Sequence, residues 1–186
     1  LHLLSRRQRQ MCIRDSICKA VIRLGQPRTV SIKIITLKET TVSSIKLVTL
    51  GGVRENGKNL YVAEVNDSIF VLDAGLKYPE NEQLGVDVVI PNMDYLFENK
   101  DRIAGVFLTH GHADAIGALP YLLAEAKVPV FGTELTIELA KLFVKSNDSV
   151  KKFNDFHVID QNSEIDFGDA VVSFFQTTHS IPESIG

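Results

Sequence analysis

Two histidines and an aspartate alternate through Leu108-Thr109-His110-Gly111-His112-Ala113-Asp114-Ala115-Ile116-Gly117. Neutral imidazoles are ligands for Zn²⁺, Mn²⁺ or Fe. Alternate residues of an extended loop let His110 and His112 reach one ion from the same side while Asp114 addresses a neighbouring position. Gly111 lets the backbone turn between them without steric cost. The bland reading is that two of the five histidines happen to share a polar loop; the third polar residue and the elements on either side weigh against it. Ile103 to Leu108 reads as a buried strand and Gly117 to Leu123 as the helix that follows. The cluster therefore occupies a strand-to-helix loop, where α/β proteins place their sites.

Other candidate residues are weaker on their own. Thr177-Thr178-His179-Ser180 again puts a histidine just past a strand-like run, Val171 to Phe175, but a lone histidine there is more often a surface or hydrogen-bonded residue than a ligand. Asp73 ends the run Ile69-Phe70-Val71-Leu72 and would serve equally as a turn cap into Ala74-Gly75. His157, between Phe156 and Val158, matches no metal spacing and reads as packing. His2 lies apart from every motif.

The elements that must position these residues alternate as in a layered α/β protein. Ile45 to Leu50, Leu60 to Val65 and Ile69 to Leu72 read as an antiparallel meander with turns at Glu55-Asn56-Gly57-Lys58 and Asn66-Asp67-Ser68. A helix over Met93 to Asn99 precedes the strand at Ile103. Pro129 to Gly132 is a short strand, and Thr133 is placed to cap a helix over Glu134 to Lys145, with Leu135, Leu139, Leu142 and Phe143 as its apolar stripe. Strands over His157 to Ile159, Ser163 to Phe167 and Ala170 to Phe175 complete the series.

The chain has 186 residues, 45% hydrophobic and 23% charged, which suits one globular domain with a sizeable core. No apolar run is long enough to span a bilayer. Both cysteines, Cys12 and Cys18, precede residue 44, consistent with a reducing, cytoplasmic setting. The net charge of −3 conceals an asymmetry: from Ser44 onward 11 Lys and Arg face 21 Asp and Glu. That region lacks the basic footprint usual in nucleic-acid binders, so any basic groove must be local or supplied elsewhere. Lys141 with Lys145, and Lys151-Lys152, are the only clusters and read as solvated charge. Residues 1–43 carry an Arg-rich start without an initiating Met and an alternating run from Thr29 to Lys38. They read as an unassigned, non-native N-terminal extension, and residues 44–186 as the domain.

The order Thr109-His110-Gly111-His112, Asp114, Ile116-Gly117 and Pro120-Tyr121-Leu122-Leu123 resembles the H-x-H-x-D-H signature of the metallo-β-lactamase superfamily, in the version carried by the ribonuclease J family of the β-CASP RNA-processing branch. Leu50 to Asn59, Phe70 to Gly75, Leu84 to Pro91 and Thr177 to Ser184 resemble further motifs of that family, in the same order. The resemblance implies an α/β fold, the metallo-β-lactamase αββα sandwich, with this chain as its N-terminal half. It also implies two divalent metal ions, zinc or manganese: His110, His112 and His179 would hold one, and Asp114 the other together with a histidine directly after it. Asp73 would orient a ligand histidine from behind.

This chain departs from the pattern at that last position, where Ala115 cannot coordinate. The second metal site is thereby impaired, and the chain is most similar to the degenerate-site second paralogue found in Firmicutes. The implied function is a subunit of a metal-dependent ribonuclease in RNA processing and decay. It would hydrolyse RNA phosphodiesters with metal-activated water, as a 5′ exonuclease or endonuclease, with activity weakened by Ala115. The alternative is a catalytically silent partner that binds RNA or an intact ribonuclease J paralogue. Expected partners are RNA and a homo-oligomer or hetero-oligomer with such a paralogue, in the cytoplasm and away from membranes. A thioester or lactam hydrolase of the same superfamily is a third reading, disfavoured by Gly51-Gly52-Val53-Arg54-Glu55-Asn56-Gly57-Lys58-Asn59 and His179 to Ser184. The family's later motifs would follow residue 186, so a truncated sandwich with open sheet edges and an uncovered core face is expected.

Overall fold

A computed structural model describes residues 44–79, 83–168 and 170–186; the strand expected over Thr29 to Lys38 and the rest of 1–43 lie outside the described residues. Three β-branched and aromatic stretches form β1 (Ile45–Gly51), β2 (Leu60–Val65) and β3 (Ser68–Leu72), paired antiparallel. The β2–β3 hairpin turns on Asn66 and Asp67, with Val65 opposite Ser68 and Asn66 at φ 52°. Asparagine accepts that left-handed conformation more readily than most residues.

After β3 the pairing becomes parallel. β4 (Ile103–Phe107), β5 (Val130–Gly132) and β6 (Phe156–Val158) add in sequence order to a six-stranded mixed sheet. Parallel neighbours need crossover connections, and these carry α1 (Asp94–Glu98), the pair α2 (Ala113–Ile116) and α3 (Leu119–Glu125), and α4 (Glu134–Lys145). β7 (Glu164–Asp166) and β8 (Val171–Ser173) form a separate antiparallel pair. The expected α/β layering is therefore present.

Strand alternation divides the core in two. Val62, Val71, Val106 and Val130 point to one face, where Ile116, Leu119, Leu122, Leu123 and Ile137 of the helices cover them. Phe70, Phe107 and Phe131 point to the other and meet Phe167 and Phe174 around the β7–β8 pair, with Phe107 stacked on Phe131 at 4.9 Å between ring centroids. Within the described sheet β1 and β6 are the open edges, and Leu47 and Val158 are exposed there.

Three local expectations need correction. The stripe expected on α4 is out of phase: the residues buried are Thr136, Ile137, Ala140 and Val144, while Leu142 is 63% exposed and Leu139 and Phe143 are only partly covered. The reason is proximity to Gly132, where an added Cβ would sit 3.3 Å from Ile137 and 3.4 Å from Thr136, so the closest approach to the sheet selects a compact face rather than the largest side chains. Thr133 precedes α4 but makes no side-chain cap bond. Finally, the helix expected over Gly117 to Leu123 is α3, shifted to start at Leu119, and an additional short helix, α2, precedes it, so Asp114 lies in the first turn of α2 rather than in a loop.

Candidate metal centre

Main-chain hydrogen bonds stitch three sequence-distant segments around the cluster. Ala74 N–H donates to Ala115 O at 2.6 Å, Leu76 N–H to Ala113 O at 2.9 Å, and Ala118 N–H to Ala74 O at 2.7 Å. The β1–β2 loop joins them through Asn59, whose N–H donates to Asp114 O at 3.1 Å and whose carbonyl accepts from Gly75 N–H at 2.9 Å. Gly75 is obligatory for this contact, because a Cβ there would lie 1.6 Å from Asp114 O.

His110 follows β4, and His112 is the residue preceding α2, its ring making no helix-cap bond. His179 arrives from the loop beyond β8. The three rings meet: His110 lies 4.3 Å from His179 and 4.9 Å from His112 between centroids, and His112 lies 4.9 Å from His179. One nitrogen from each ring falls within 4.8 Å of the others. Gly111 does not adopt a left-handed turn here. Its missing side chain instead admits Leu139 and Ile181, which an added Cβ would meet at 2.5 and 3.3 Å.

His110 is the most constrained of the three, at 8% exposure. Its Nδ1 is 2.8 Å from Thr109 Oγ1, and that hydroxyl lies 2.9 Å from Asp73 Oδ2, while Thr109 N–H donates to Asp73 Oδ1 at 2.8 Å. An ionised Asp73 can only accept, so the Thr109 hydroxyl gives its proton to Asp73 and receives one from His110 Nδ1. That leaves the lone pair on Nε2, which is buried without a hydrogen-bond partner. A buried, unpartnered imidazole nitrogen facing two more imidazoles is a donor set that fits a divalent ion. Sequence reasoning placed Asp73 behind a ligand histidine but missed Thr109 as the connection, for which adjacency to His110 was the available clue.

Two carboxylates set the local field. Burial pushes Asp73 up to about 6, opposed by the neighbouring His110 and by its bonds to Thr109. Burial also resists charge on His110 and Asp114, yet their mutual attraction prevails: His110 is held above the usual imidazole range and Asp114 below the usual carboxylate range. Asp114 Oδ1 stands 3.7 Å from His110 Nε2, too far for a hydrogen bond. Its Oδ2 accepts from Asn59 Nδ2 at 3.2 Å. Asn59 is 3% exposed and was not anticipated from sequence; its place in Gly57-Lys58-Asn59 gave no chemical signal.

Ala115 is fully buried in the principal core. Among the described residues, the cluster able to hold an ion comprises His110, His112 and His179, with Asp114 beside it. His157 lies elsewhere, exposed, 2.8 Å from Asp155 and stacked on Phe131.

A sequence profile of the metallo-β-lactamase superfamily matches residues 53–184. Proteins named ribonuclease J 2 are also similar to this chain. That of Streptococcus pyogenes is 72% identical over 145 residues, covering 78% of this chain and 26% of the relative; that of Staphylococcus epidermidis is 50% identical over 142 residues, covering 76% and 25%. The chain thus spans about a quarter of the length of these curated relatives. Among solved structures, Rm3 metallo-β-lactamase superposes with a TM-score of 0.51 at 14% identity, covering 75% of this chain and 51% of that one. Rubredoxin oxygen:oxidoreductase from Desulfovibrio gigas gives 0.50 at 18%, covering 69% and 29%. These likenesses concern the fold, whereas the profile spans most of the sequence, both histidine motifs included: the chain belongs to the metallo-β-lactamase superfamily.

Proposed function

We propose that the chain is the metal-binding portion of a ribonuclease J type subunit that hydrolyses RNA phosphodiesters, with one ion held by His110, His112 and His179. The observation that carries this reading is the buried, unpartnered Nε2 of His110 facing the other two imidazoles. A divalent ion bound there supplies Lewis acidity and a water acidic enough to ionise near neutral pH. Thr109 and Asp73 hold His110 in the tautomer that presents Nε2. Asp114, anchored by Asn59, keeps a negative oxygen at the rim, where Oδ1 can accept a proton from the attacking water.

Resemblance to the ribonuclease J 2 proteins supports RNA as substrate, and with the acidic balance of residues 44–186 a phosphate-attracting groove is either local or supplied elsewhere. Zinc suits three imidazoles best, with manganese as the rival. The second ion is disfavoured because Ala115 offers a methyl group sealed in the core, and Asp114 already spends one oxygen on Asn59. That same observation favours a second reading, a weakly active or silent subunit partnered by an intact paralogue in the cytoplasm.

The test is metal content and cleavage of a 5′-labelled RNA in the full-length protein, with and without Mn²⁺, for wild type and His110→Ala. One ion per chain with metal-dependent cleavage lost in the variant supports the first reading. Absence of cleavage supports the silent partner, and absence of stoichiometric metal overturns the first reading.

A further inference from the structure

We infer that Glu183 is a positioning residue that couples the start of α4 to the His179 arm of the metal centre; this rests on reading His179 as a ligand. The first N–H groups of a helix have no partner within it. Thr133 does not fill the role, since its hydroxyl lies 2.9 Å from the Glu183 carbonyl and 2.9 Å from the hydroxyl of Thr136. Leu135 N–H, in the first turn, instead donates to Glu183 Oε2 at 2.9 Å. Glu183 thus holds the start of α4 at two points, the preceding Thr133 by its carbonyl and the first turn by its carboxylate. A negative group is also the favourable one at a helix N-terminus.

The grip is transmitted to His179 because both residues belong to one closed loop. Thr177 N–H donates to Ser184 O at 2.9 Å, Gln176 bridges Ile185, and Ser184 Oγ donates to Ile181 O at 3.1 Å. The foot of the loop is tied next to His110, where Ile185 N–H donates to Thr109 O at 2.9 Å. Glu183 itself sits at φ 60°, a conformation that a non-glycine residue keeps only when its surroundings over-determine it. Ile181 and Leu139 then meet against Gly111, between the two other histidines. An ion that fixes His179 must therefore also fix Glu183 and the first turn of α4. By reciprocity, loosening that turn weakens the hold on the ion.

The experiment uses the full chain, measuring Co²⁺ affinity by visible absorption and amide exchange of peptides containing Leu135 with and without Zn²⁺. For wild type we expect stoichiometric Co²⁺ binding and slower exchange at Leu135 when Zn²⁺ is present. Glu183→Ala should lower Co²⁺ affinity roughly 10–100-fold, the usual effect of losing a group that orients a ligand, and abolish the metal-dependent protection. Glu183→Gln keeps an acceptor oxygen and should restore both. Wild type that binds Co²⁺ without any change at Leu135, or Glu183→Ala that binds as tightly as wild type, overturns the coupling while leaving the metal site standing. Wild type that binds no Co²⁺ overturns both. If Glu183→Ala does not fold, wild-type exchange and Glu183→Gln affinity decide the matter alone.

Discussion

Asp73 commits both carboxylate oxygens to Thr109, one to its N–H at 2.8 Å and the other to its hydroxyl at 2.9 Å. The hydroxyl is thereby oriented, and with it the proton on His110 Nδ1, 2.8 Å away. An acid that never reaches the ion thus determines which imidazole nitrogen can.

Asp73→Asn tests this relay. The new amide Nδ2 would donate to Thr109 Oγ1, which would then donate to His110 Nδ1 and move the ring proton to Nε2, blocking it. Zinc affinity should fall roughly 10–100-fold. Stability should move the other way. The folded-state value of about 6 lies above the ordinary 3.8, so the charged form is disfavoured in the fold and the penalty grows as pH rises through about 6. At pH 7.5 the neutral amide should unfold at a higher temperature than wild type in the absence of metal, and calorimetry with a zinc titration reads both effects. A variant that binds zinc as wild type does would remove Asp73 from the site.

Metal should stabilise the fold, since the three imidazoles converge only when it is formed. Zinc at a hundred times its dissociation constant should add about 2.7 kcal/mol, visible as a rise in Tm that EDTA reverses. His112→Ala and His179→Ala should each eliminate that rise while leaving the metal-free Tm little changed.

Gly75→Ala drives a methyl group into the Asp114 carbonyl, 1.6 Å from its oxygen and 2.2 Å from its carbon. Neither backbone can yield without breaking the stitching of α2, so a loss of roughly 3 kcal/mol or more in urea unfolding is expected. Gly85→Ala is the control: its Cβ meets nothing within 4 Å at φ 78°, and only the left-handed penalty of roughly 1–2 kcal/mol applies.

Ala115→His replaces a fully buried methyl with an imidazole. The metal-free variant should be less stable by roughly 1–3 kcal/mol, from overpacking. If the position faces a second ion, excess Zn²⁺ or Mn²⁺ should recover the loss and raise the stoichiometry to two per chain. Destabilisation unaffected by metal would mean that Ala115 is purely a core residue here.

Glu64 predicts the acid limb of stability. Tyr95 donates to it at 2.6 Å, and Arg102 and Lys46 pair with it, holding its carboxyl down to about 2 from an ordinary 4.5. A depressed carboxylate stabilises the fold above the unfolded value and loses that contribution as pH falls through the window from about 4.5 to about 2. The urea midpoint of wild type should therefore drop across that window, and that of Glu64→Gln should start lower and fall less.

Much of this was legible in the chain. The meander, the order of strands and helices, and His110, His112 and Asp114 were readable because hydrophobic period, turn residues and ligand spacing are local properties. The phase of α4 was not, because burial there depends on which face meets Gly132, and the largest apolar side chains are not the ones nearest the sheet. Thr133 misled because the partner of the Leu135 N–H in the first turn is Glu183, 48 residues beyond Leu135.

Residue types and spacing by themselves determined the donor chemistry and the α/β layering, since imidazole basicity and alternating hydrophobicity travel with the sequence. His179 was expected in the set only through the family resemblance, and the tertiary structure brings it there; tertiary structure alone decided that Asp73 acts through Thr109 and that Asn59 holds Asp114. Each of those joins residues far apart in the chain, and only packing of the sheet and its loops brings hydrogen-bonding atoms to within about 3 Å.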